Sequence, residues 1–221
     1  AFKDHETFSS AYGLDLAMVK SGEPVPMKMI ILMDPPEHRK MRSLVNKVFT
    51  PRQIANLKPM IVDTIDRCFT AADPEQFDVV QEFAAFFPVE VITQMLGVPA
   101  DRRQQVRQWV DTSLHREPGQ IEMSAEGQQA IAEAMALYYE LIQQRRAEPQ
   151  DDMFTRLVQA EIEREDGQKE SLDDFEIAGF ATLLGGAGAE TVTKLIGNAA
   201  VTFAENPDQW QKLLDARAKI P

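Results

Sequence analysis

A carboxylate and a hydroxyl, Glu190 and Thr191, stand side by side in a segment that is otherwise apolar and rich in glycine. A carboxylate and a hydroxyl can both exchange protons with water, so the pair could take part in acid–base chemistry. Each also has an ordinary structural explanation. Glu190 and Lys194 are spaced for a helical ion pair worth about 0.2–0.5 kcal/mol. The Thr191 hydroxyl can bond to the carbonyl four residues earlier, that of Ala187.

A second candidate pair is His38 and Arg42, which share a helical face with Val45 and Phe49. A cation held on the apolar side of a helix needs an anionic partner, because an unpaired buried charge is very costly. That partner could be the anionic group of a ligand. Alternatively, Arg42 meets a protein carboxylate and His38 merely caps or packs.

The glycines at 185, 186 and 188 interrupt what is otherwise one long apolar helix. Each glycine inside a helix costs roughly 0.5–1 kcal/mol relative to alanine. The pattern therefore predicts a groove where a flat or bulky group approaches the backbone. At about 100° per residue, one strip contains Leu184, Ala187, Gly188, Thr191 and Leu195, with Glu190 at its edge.

The elements that would position these residues are helices. Ser171, with Asp174 at the capping-box position, predicts the start of the glycine-rich helix, and Asn206-Pro207 predicts its end. Other helices are expected around Asp4–Ser10 and over Pro35–Phe49, Pro51–Ala71, Glu82–Leu96, Ala100–Arg116, Ser124–Ala147 and Asp151–Glu163. No convincing strand pair is expected. The predicted fold class is mainly α.

Two motifs together resemble the cytochrome P450 superfamily of haem-thiolate monooxygenases. The run Ala187-Gly188-Ala189-Glu190-Thr191-Val192 matches the pattern of the family's long distal helix. The segment Asp34–Arg42, followed by Val48–Arg52, resembles its propionate-binding helix with a His-x-x-x-Arg pair. Asn206–Trp210 resembles the start of the family's next helix, so the resemblance covers essentially the whole chain.

The resemblance implies a haem b cofactor and a role for each matching residue. His38 and Arg42 would bind a haem propionate, Ala187 and Gly188 would cross over the haem, and Glu190 and Thr191 would deliver protons to dioxygen. The substrate pocket would be walled by residues 29–32, including Ile31, by the Trp109 and Leu114 region, and by Leu183, Gly186 and Ala187. Those substrate positions equally fit an ordinary core.

The resemblance is incomplete at the metal ligand. In the family, the iron is bound by a cysteine in a glycine-rich loop after a Glu-x-x-Arg helix, and both would lie beyond residue 221. The single Cys68 belongs to a helical core stripe with Ile61, Ile65 and Phe69, and we interpret it as structural. We therefore expect residues 1–221 to form a single-domain fragment of the fold, running from before the propionate-binding helix through the distal helix, without the family's N-terminal sheet and C-terminal cysteine loop.

Composition narrows the class of protein. A chain of 221 residues with 44% hydrophobic and 26% charged residues can bury a sizeable core. No stretch of about 18 uncharged apolar residues is apparent, so a membrane span is not expected. A single cysteine fits a reducing cytoplasm, and a net charge of −12 argues against nucleic acid or an anionic membrane as a partner.

The segment from Asp34 to Arg52 departs from this acidic balance, with five Lys/Arg residues against two acidic ones. With Arg42 turned inward, the outward cations would be Arg39, Lys40 and Lys47. This basic patch is expected to dock an acidic ferredoxin or flavodoxin-like electron donor, itself served by an NAD(P)H reductase. An ordinary solvated face is the alternative. No dinucleotide-binding fingerprint occurs, because the glycines lie inside a helix and not after a strand.

The function predicted by resemblance is therefore a haem-dependent monooxygenase that inserts one atom of dioxygen into a hydrophobic organic molecule. The fragment alone is expected to be inactive. One alternative is a peroxide-using relative, against which the Glu190-Thr191 pair argues. Another is a haem-free helical ligand-binding or interaction domain, in which the glycines only permit close helix packing.

Overall fold

The structure is a computed structural model that describes residues 4–26, 28–163 and 168–219. Within these ranges the chain is almost entirely helical, which confirms the mainly α prediction. The helices are α1 (Leu16–Ser21), α2 (Glu37–Val48), α3 (Pro51–Asn56), α4 (Lys58–Ala71), α5 (Phe87–Leu96), α6 (Arg103–Leu114), α7 (Ala125–Ala147), α8 (Met153–Gln159), α9 (Asp174–Glu205) and α10 (Pro207–Asp215). Shorter 3₁₀ turns cover Ile30–Leu32, Ala100–Arg102 and Arg217–Lys219, and a π-helical segment covers Val79–Ala84.

The glycine-rich helix α9 spans 32 residues and contacts α5, α6, α7, α8 and α10. It begins two residues later than Ser171 predicts. The Asp173 carboxylate accepts the backbone N–H of Glu176 at 2.8 Å, and the Glu176 carboxylate accepts the N–H of Asp173 at 2.9 Å. This reciprocal capping box satisfies two backbone donors at once and fixes the helix start. The predicted end at Asn206-Pro207 is confirmed.

The main core lies where α2, α7, α8 and α9 meet. Its largest fully buried side chains include Tyr138, Phe154, Leu141, Ile142 and Leu157. Tyr138 and Phe154 pack with ring centroids 5.8 Å apart. Helix α2 adds the buried stripe of Met41, Leu44, Val45 and Val48. Helix α9 is therefore held from several sides over its first half.

A buried ion pair joins α7 to α8. Arg145 donates to the Asp152 carboxylate at 2.5 Å and to the Gly97 carbonyl at 3.1 Å, and both charged side chains are less than one-tenth exposed. The other Asp152 oxygen accepts the N–H of Thr155 and caps α8. Removing either charge would leave its partner buried and unpaired, which is among the costliest defects a core can carry.

Prolines divide two of the predicted helices. The single helix expected over Pro51–Ala71 is two helices that meet at Leu57, because Pro59 has no N–H to give to the carbonyl of residue 55. The helix expected over Glu82–Leu96 changes from a π-helix to α5 near Pro88. Pro88 leaves the Ala84 carbonyl free, and the Thr193 hydroxyl of α9 lies 2.8 Å from it and equally close to the Ala189 carbonyl, so its proton is shared between the two acceptors. The break in one helix thus becomes a contact with another.

Three further expectations were wrong at the level of local structure. Asp4–Ser10 forms turns, and the first helix is α1, which Asp15 caps by accepting the N–H of Met18. Helix α8 ends at Gln159. It is followed by β1 (Glu161–Glu163), which pairs antiparallel with β2 (Lys169–Ser171). These strands are three residues long, which is too short for an alternating apolar pattern to reveal them.

One described stretch, Val79–Leu96, is apolar and long enough to cross a membrane by length and composition alone, with a mean hydropathy of 1.3 over 18 residues. It contains Glu82 and Glu90, so it is not an uncharged stretch of the kind that the sequence was searched for. The buried half of this stretch, α5, packs against α9. Core helices of globular proteins meet the same criterion, so the stretch is weak evidence for a membrane span.

Candidate functional site

The three glycines of α9 face three different surroundings. A Cβ built on Gly185 would lie 2.9 Å from the Tyr138 phenolic oxygen of α7. A Cβ on Gly188 would lie 3.1 Å from Cγ1 of Ile92 on α5, whereas a Cβ on Gly186 would meet nothing within 4 Å. The groove predicted from all three glycines is therefore wrong in part. Gly185 and Gly188 allow neighbouring helices to approach, and only Gly186 faces open space.

The open space beside Gly186 is part of a cavity of about 320 Å³, which we call the inner cavity. It lies between α6, α7 and α9, and its wall is mostly apolar. The residues that line it are Met29, Val106, Trp109, Val110, Ser113, Leu114, Ala130, Ile131, Ala134, Tyr138, Thr182, Leu183, Gly186, Ala187 and Glu190. Its volume falls in the roughly 300–1,000 Å³ range of small-molecule sites.

Most of the predicted substrate wall meets at this cavity. Leu183 and Gly186 line it together with Trp109 and Leu114. Ile31 does not: it is 41% exposed and lines a separate cavity that also includes His38 and Arg39. The 3₁₀ turn over Ile30–Leu32 explains the position of Ile31. It buries Ile30 and Leu32 and leaves the Ile31 side chain on the surface.

The acid and the alcohol of α9 face different spaces. Glu190 lines the inner cavity and pairs with Lys194 one turn later. Thr191 is exposed on the adjacent face, and its hydroxyl donates to the Ala187 carbonyl at 2.7 Å, as its spacing predicts. Thr191 therefore shares an open face of the helix with Ala187 and Leu195, both of which are exposed.

Two charged residues of α6 add to the electrostatics near Glu190. Partial burial raises the pKa of the Asp111 carboxyl; Arg107, one turn before it, opposes that rise, and the negative charge of Glu190 adds to it. The Arg107 Nε is buried without a hydrogen-bond partner among the described residues. Neither residue was a sequence candidate, although their i, i+4 spacing on α6 could have indicated an ion pair.

His38 and Arg42 lie at the border of the buried face of α2. His38 is half-buried beside the separate cavity that contains Ile31. Arg42 is exposed and has no ion-pair partner in the described parts of the chain. The expectation that Arg42 turns inward is wrong for this chain, because the core side of α2 is occupied by Met41, Leu44, Val45 and Val48.

Of the three cations in the predicted basic patch, Arg39 and Lys40 are exposed and have no ion pair within the described ranges. The Lys47 ammonium donates to the backbone carbonyl of Glu161 in β1. Lys47 thus also links α2 to the β1–β2 pair. Substituting Arg39 and Lys40 tests a docking role without breaking that link.

Cys68 is buried on α4, where burial raises the pKa of its thiol. A raised pKa disfavours the thiolate that a metal would need. Among the described residues, no group of three or more His, Cys, Asp or Glu side chains could hold a metal ion. The burial and the raised pKa support the interpretation of Cys68 as structural.

The long glycine-containing helix α9, helix α2 and the predominantly helical architecture fit the class of haem-thiolate folds. No model of a known protein family matches the chain. Cytochrome P450 123 of Mycobacterium tuberculosis is 36% identical over all of this chain and 54% of its own length. The erythromycin C-12 hydroxylase of Saccharopolyspora erythraea is 35% identical over 99% of this chain and 53% of its own length.

Solved structures agree with the sequence comparison. The ligand-free structure of cytochrome P450 TbtJ1 superimposes with a TM-score of 0.81 at 34% identity, over 97% of this chain and 54% of that one. The chain belongs to the cytochrome P450 superfamily. It spans about half the length of the curated relatives it matches.

Proposed function

We propose that this chain forms the distal half of the active site of a haem-dependent monooxygenase that inserts one atom of dioxygen into a hydrophobic organic molecule. The observation that carries the proposal is the position of Glu190, whose carboxylate lines an apolar cavity while its neighbour Thr191 lies on the open face of the same helix. A proton donor system and a substrate cavity thus meet at one turn of α9.

The residues present fit a haem group. The open face of α9 combines the small Ala187, the hydroxyl of Thr191 and the apolar Leu195, which is 68% exposed. Such a strip suits a flat, largely apolar macrocycle. On α2, Arg42 presents a guanidinium without an ion-pair partner in the part of the chain described, and a guanidinium is the preferred donor to a carboxylate such as a propionate. His38, one turn earlier, would be the second donor.

Haem, when bound, supplies an iron atom at which dioxygen is activated. The contribution of this chain is to place groups around that position. The Thr191 hydroxyl lies on the open face of α9 and donates to the Ala187 carbonyl at 2.7 Å, and it would hold and pass on a proton at that face. Glu190 would replace that proton from water, and the pairing with Lys194 keeps its carboxylate at the cavity edge.

The inner cavity would hold the substrate beside these groups. Its wall carries one charged side chain, Glu190, among the described residues, so an apolar molecule displaces water there at little cost. The related hydroxylase of Saccharopolyspora acts at C-12 of erythromycin, as its name states. This supports hydroxylation of an organic molecule as the reaction class without identifying the substrate of this protein.

Electrons would come from a separate ferredoxin or flavodoxin-like donor with its NAD(P)H reductase, docking near Arg39, Lys40 and Lys47. We also propose a cytoplasmic location, supported by the single buried thiol and by bacterial relatives. The iron-ligand cysteine would come from outside residues 1–221, because Cys68 is buried within helix α4 and does not lie in a glycine-rich loop.

Absorption spectroscopy tests the proposal. The full-length protein should show the red-shifted reduced carbon-monoxide band of thiolate-ligated haem. The 221-residue chain titrated with haemin should not show that band, since it supplies a wall and propionate donors but no available thiolate. A full-length protein purified without haem, and unable to take it up, would instead support a haem-free ligand-binding domain. Thiolate ligation in the short chain would overturn the structural role of Cys68.

A further inference from the structure

A second cavity adjoins the inner one. This outer cavity has a volume of about 510 Å³ and lies between α1, the loop before the 3₁₀ turn at Ile30, α7 and the first half of α9. Its wall contains four methionines: Met18, Met29, Met123 and Met135. The outer and inner cavities share three lining residues, Met29, Ile131 and Thr182. These three residues therefore form the partition between the two spaces.

Met29 is the part of the partition most able to move. Ile131 is β-branched and lies within α7, so its side chain has few rotamers. The Thr182 hydroxyl is bonded to the Ala178 carbonyl of α9 at 2.9 Å. Met29 lies outside the helices in extended backbone and is half-buried, and its unbranched side chain adapts readily to its surroundings.

The Met29 side chain packs against the backbone of α9 at Gly179. A Cβ built on Gly179 would lie 3.4 Å from Cγ of Met29, so the methionine lies directly over the backbone of α9. The partition offers few polar atoms beyond the already bonded Thr182 hydroxyl, and an ordered water needs two or more polar partners. An apolar chain therefore suits the passage better than water does.

Charge narrows the kind of molecule that fits. Among the described residues no lysine or arginine lines either cavity, and the charged groups in the two walls are carboxylates: Glu190 in the inner cavity, and Asp15 and Glu122 in the outer one. An anionic ligand would meet only like charges. The two cavities together remain within the roughly 300–1,000 Å³ that small-molecule sites occupy.

We infer that Met29 is the gate through which one elongated, apolar molecule without negative charge spans both cavities, with one end at Gly186 and Glu190. Naming this molecule the substrate rests on the proposed function. The binding mode itself depends only on the two cavities and their partition. Met29 is then a residue that determines which chain lengths can reach the inner end.

Calorimetric titration of the full-length protein with octyl, decyl, dodecyl and tetradecyl glucosides, each below its micelle concentration, tests the inference. The uncharged head group avoids non-specific attraction to a chain of net charge −12. Affinity should rise about fourfold for each added methylene across the series, because each one buries apolar surface. Fatty acids of equal length should bind more weakly at neutral pH.

Variants locate the gate. Met29→Trp should bind the short glucosides like the wild type but lose the gain with length, because the bulky ring closes the passage. Met29→Leu, similar in volume, is the matched control and should follow the wild type. Gly186→Leu, whose side chain would enter the inner cavity, should shorten the longest chain accommodated. If Met29→Trp does not keep the wild-type melting temperature, Met29→Phe takes its place.

A wild-type affinity that stops rising after the shortest members, or a Met29→Trp variant that keeps the full gain with length, would overturn the inference. Calorimetry needs neither haem nor turnover. A failure of the proposed function would therefore appear as a missing haem spectrum, while the length dependence would still decide whether Met29 is a gate.

Discussion

The phenolic oxygen of Tyr138 occupies the place where a side chain on Gly185 would begin, because a Cβ built there would lie only 2.9 Å from it. Tyr138 is 1% exposed, and burial raises the pKa of its hydroxyl far above the ordinary value, so the group stays neutral. This contact fixes the distance between α7 and α9, which form two walls of the inner cavity.

The first prediction compares neighbouring glycines. Gly185→Ala should lower the free energy of unfolding by about 1–3 kcal/mol, because the added methyl forces α7 and α9 apart. Gly186→Ala is the matched control and should raise it by about 0.5–1 kcal/mol, since its methyl meets open space and alanine favours a helix. Urea unfolding measures both.

Tyr138→Phe should recover most of the loss caused by Gly185→Ala, because it removes the oxygen that the methyl meets. A double-mutant cycle gives the coupling between the two positions. Equal effects of alanine at 185 and 186 would show that the close approach of Tyr138 does not control packing here.

The second prediction compares two adjacent aspartates. Asp152→Ala should cost about 3–5 kcal/mol, because it leaves Arg145 buried without its partner and removes the cap of α8. Asp151→Ala removes an ion pair with Arg156 in which the aspartate is 95% exposed, and should cost less than about 1 kcal/mol. Thermal and urea unfolding of the two variants check this difference, and similar costs would contradict the assignment of Asp152 to the core.

The third prediction concerns the proton donor. Thr191→Ala in the full-length enzyme should leave haem and substrate binding nearly unchanged but divert electrons from product to hydrogen peroxide, because the relay hydroxyl is lost. Thr202→Ala is the matched control: its hydroxyl makes the same kind of bond, to the Asn198 carbonyl at 2.7 Å, farther along α9. Product formed per NAD(P)H consumed is the readout. Unchanged coupling in Thr191→Ala would assign proton delivery to another donor.

The fourth prediction concerns the redox partner. Reversing Arg39 and Lys40 to glutamate should slow reduction by an acidic donor and flatten its dependence on ionic strength, because complementary charges steer the encounter over about 10 Å at 0.1 M salt. Reversing Lys20 and Lys58, two exposed lysines elsewhere, changes the net charge equally and should leave the salt slope intact. Stopped-flow reduction from low to high salt compares them, and equal slopes in both double variants would place the docking surface elsewhere.

The extent of a helix was predictable where its own sequence contains an apolar pattern and residues that mark its start or its end. The apolar pattern and Asn206-Pro207 predicted the extent of α9 to within a few residues, and Ser124 correctly predicted the start of α7. The breaks at Leu57 and before Pro88 were missed, although both prolines are visible in the sequence. What the sequence does not show is that the Ala84 carbonyl freed by Pro88 finds a donor in Thr193, more than a hundred residues away. That contact exists only in the folded chain.

The sequence indicated which residues lie near one another in the candidate site better than it indicated the direction in which each side chain points. The resemblance groups Leu183, Gly186 and Trp109 as substrate contacts, and in the structure all three line one cavity. A helical wheel could not tell that Gly188 faces Ile92 while Gly186 faces open space, because both directions depend on which helices pack nearby. Arg42 was expected to point inward because a helical wheel places it on the same face as Val45 and Phe49. Whether Arg42 points inward or outward depends on which elements pack against the face of α2 that carries Met41 and Val45. The sequence does not specify those elements.

The thiol of Cys68 also determines how the molecule can be studied. It is the single cysteine of the chain, it is 7% exposed, and its pKa is raised by burial, so it stays protonated and unreactive at neutral pH. A Gly186→Cys variant of the 221-residue chain would therefore carry one reactive sulfur, located in the wall of the inner cavity where a side chain meets no obstruction. A fluorophore or spin label attached there would report, from within the cavity and without any change to the native cysteine, when a molecule arrives and how fast it leaves.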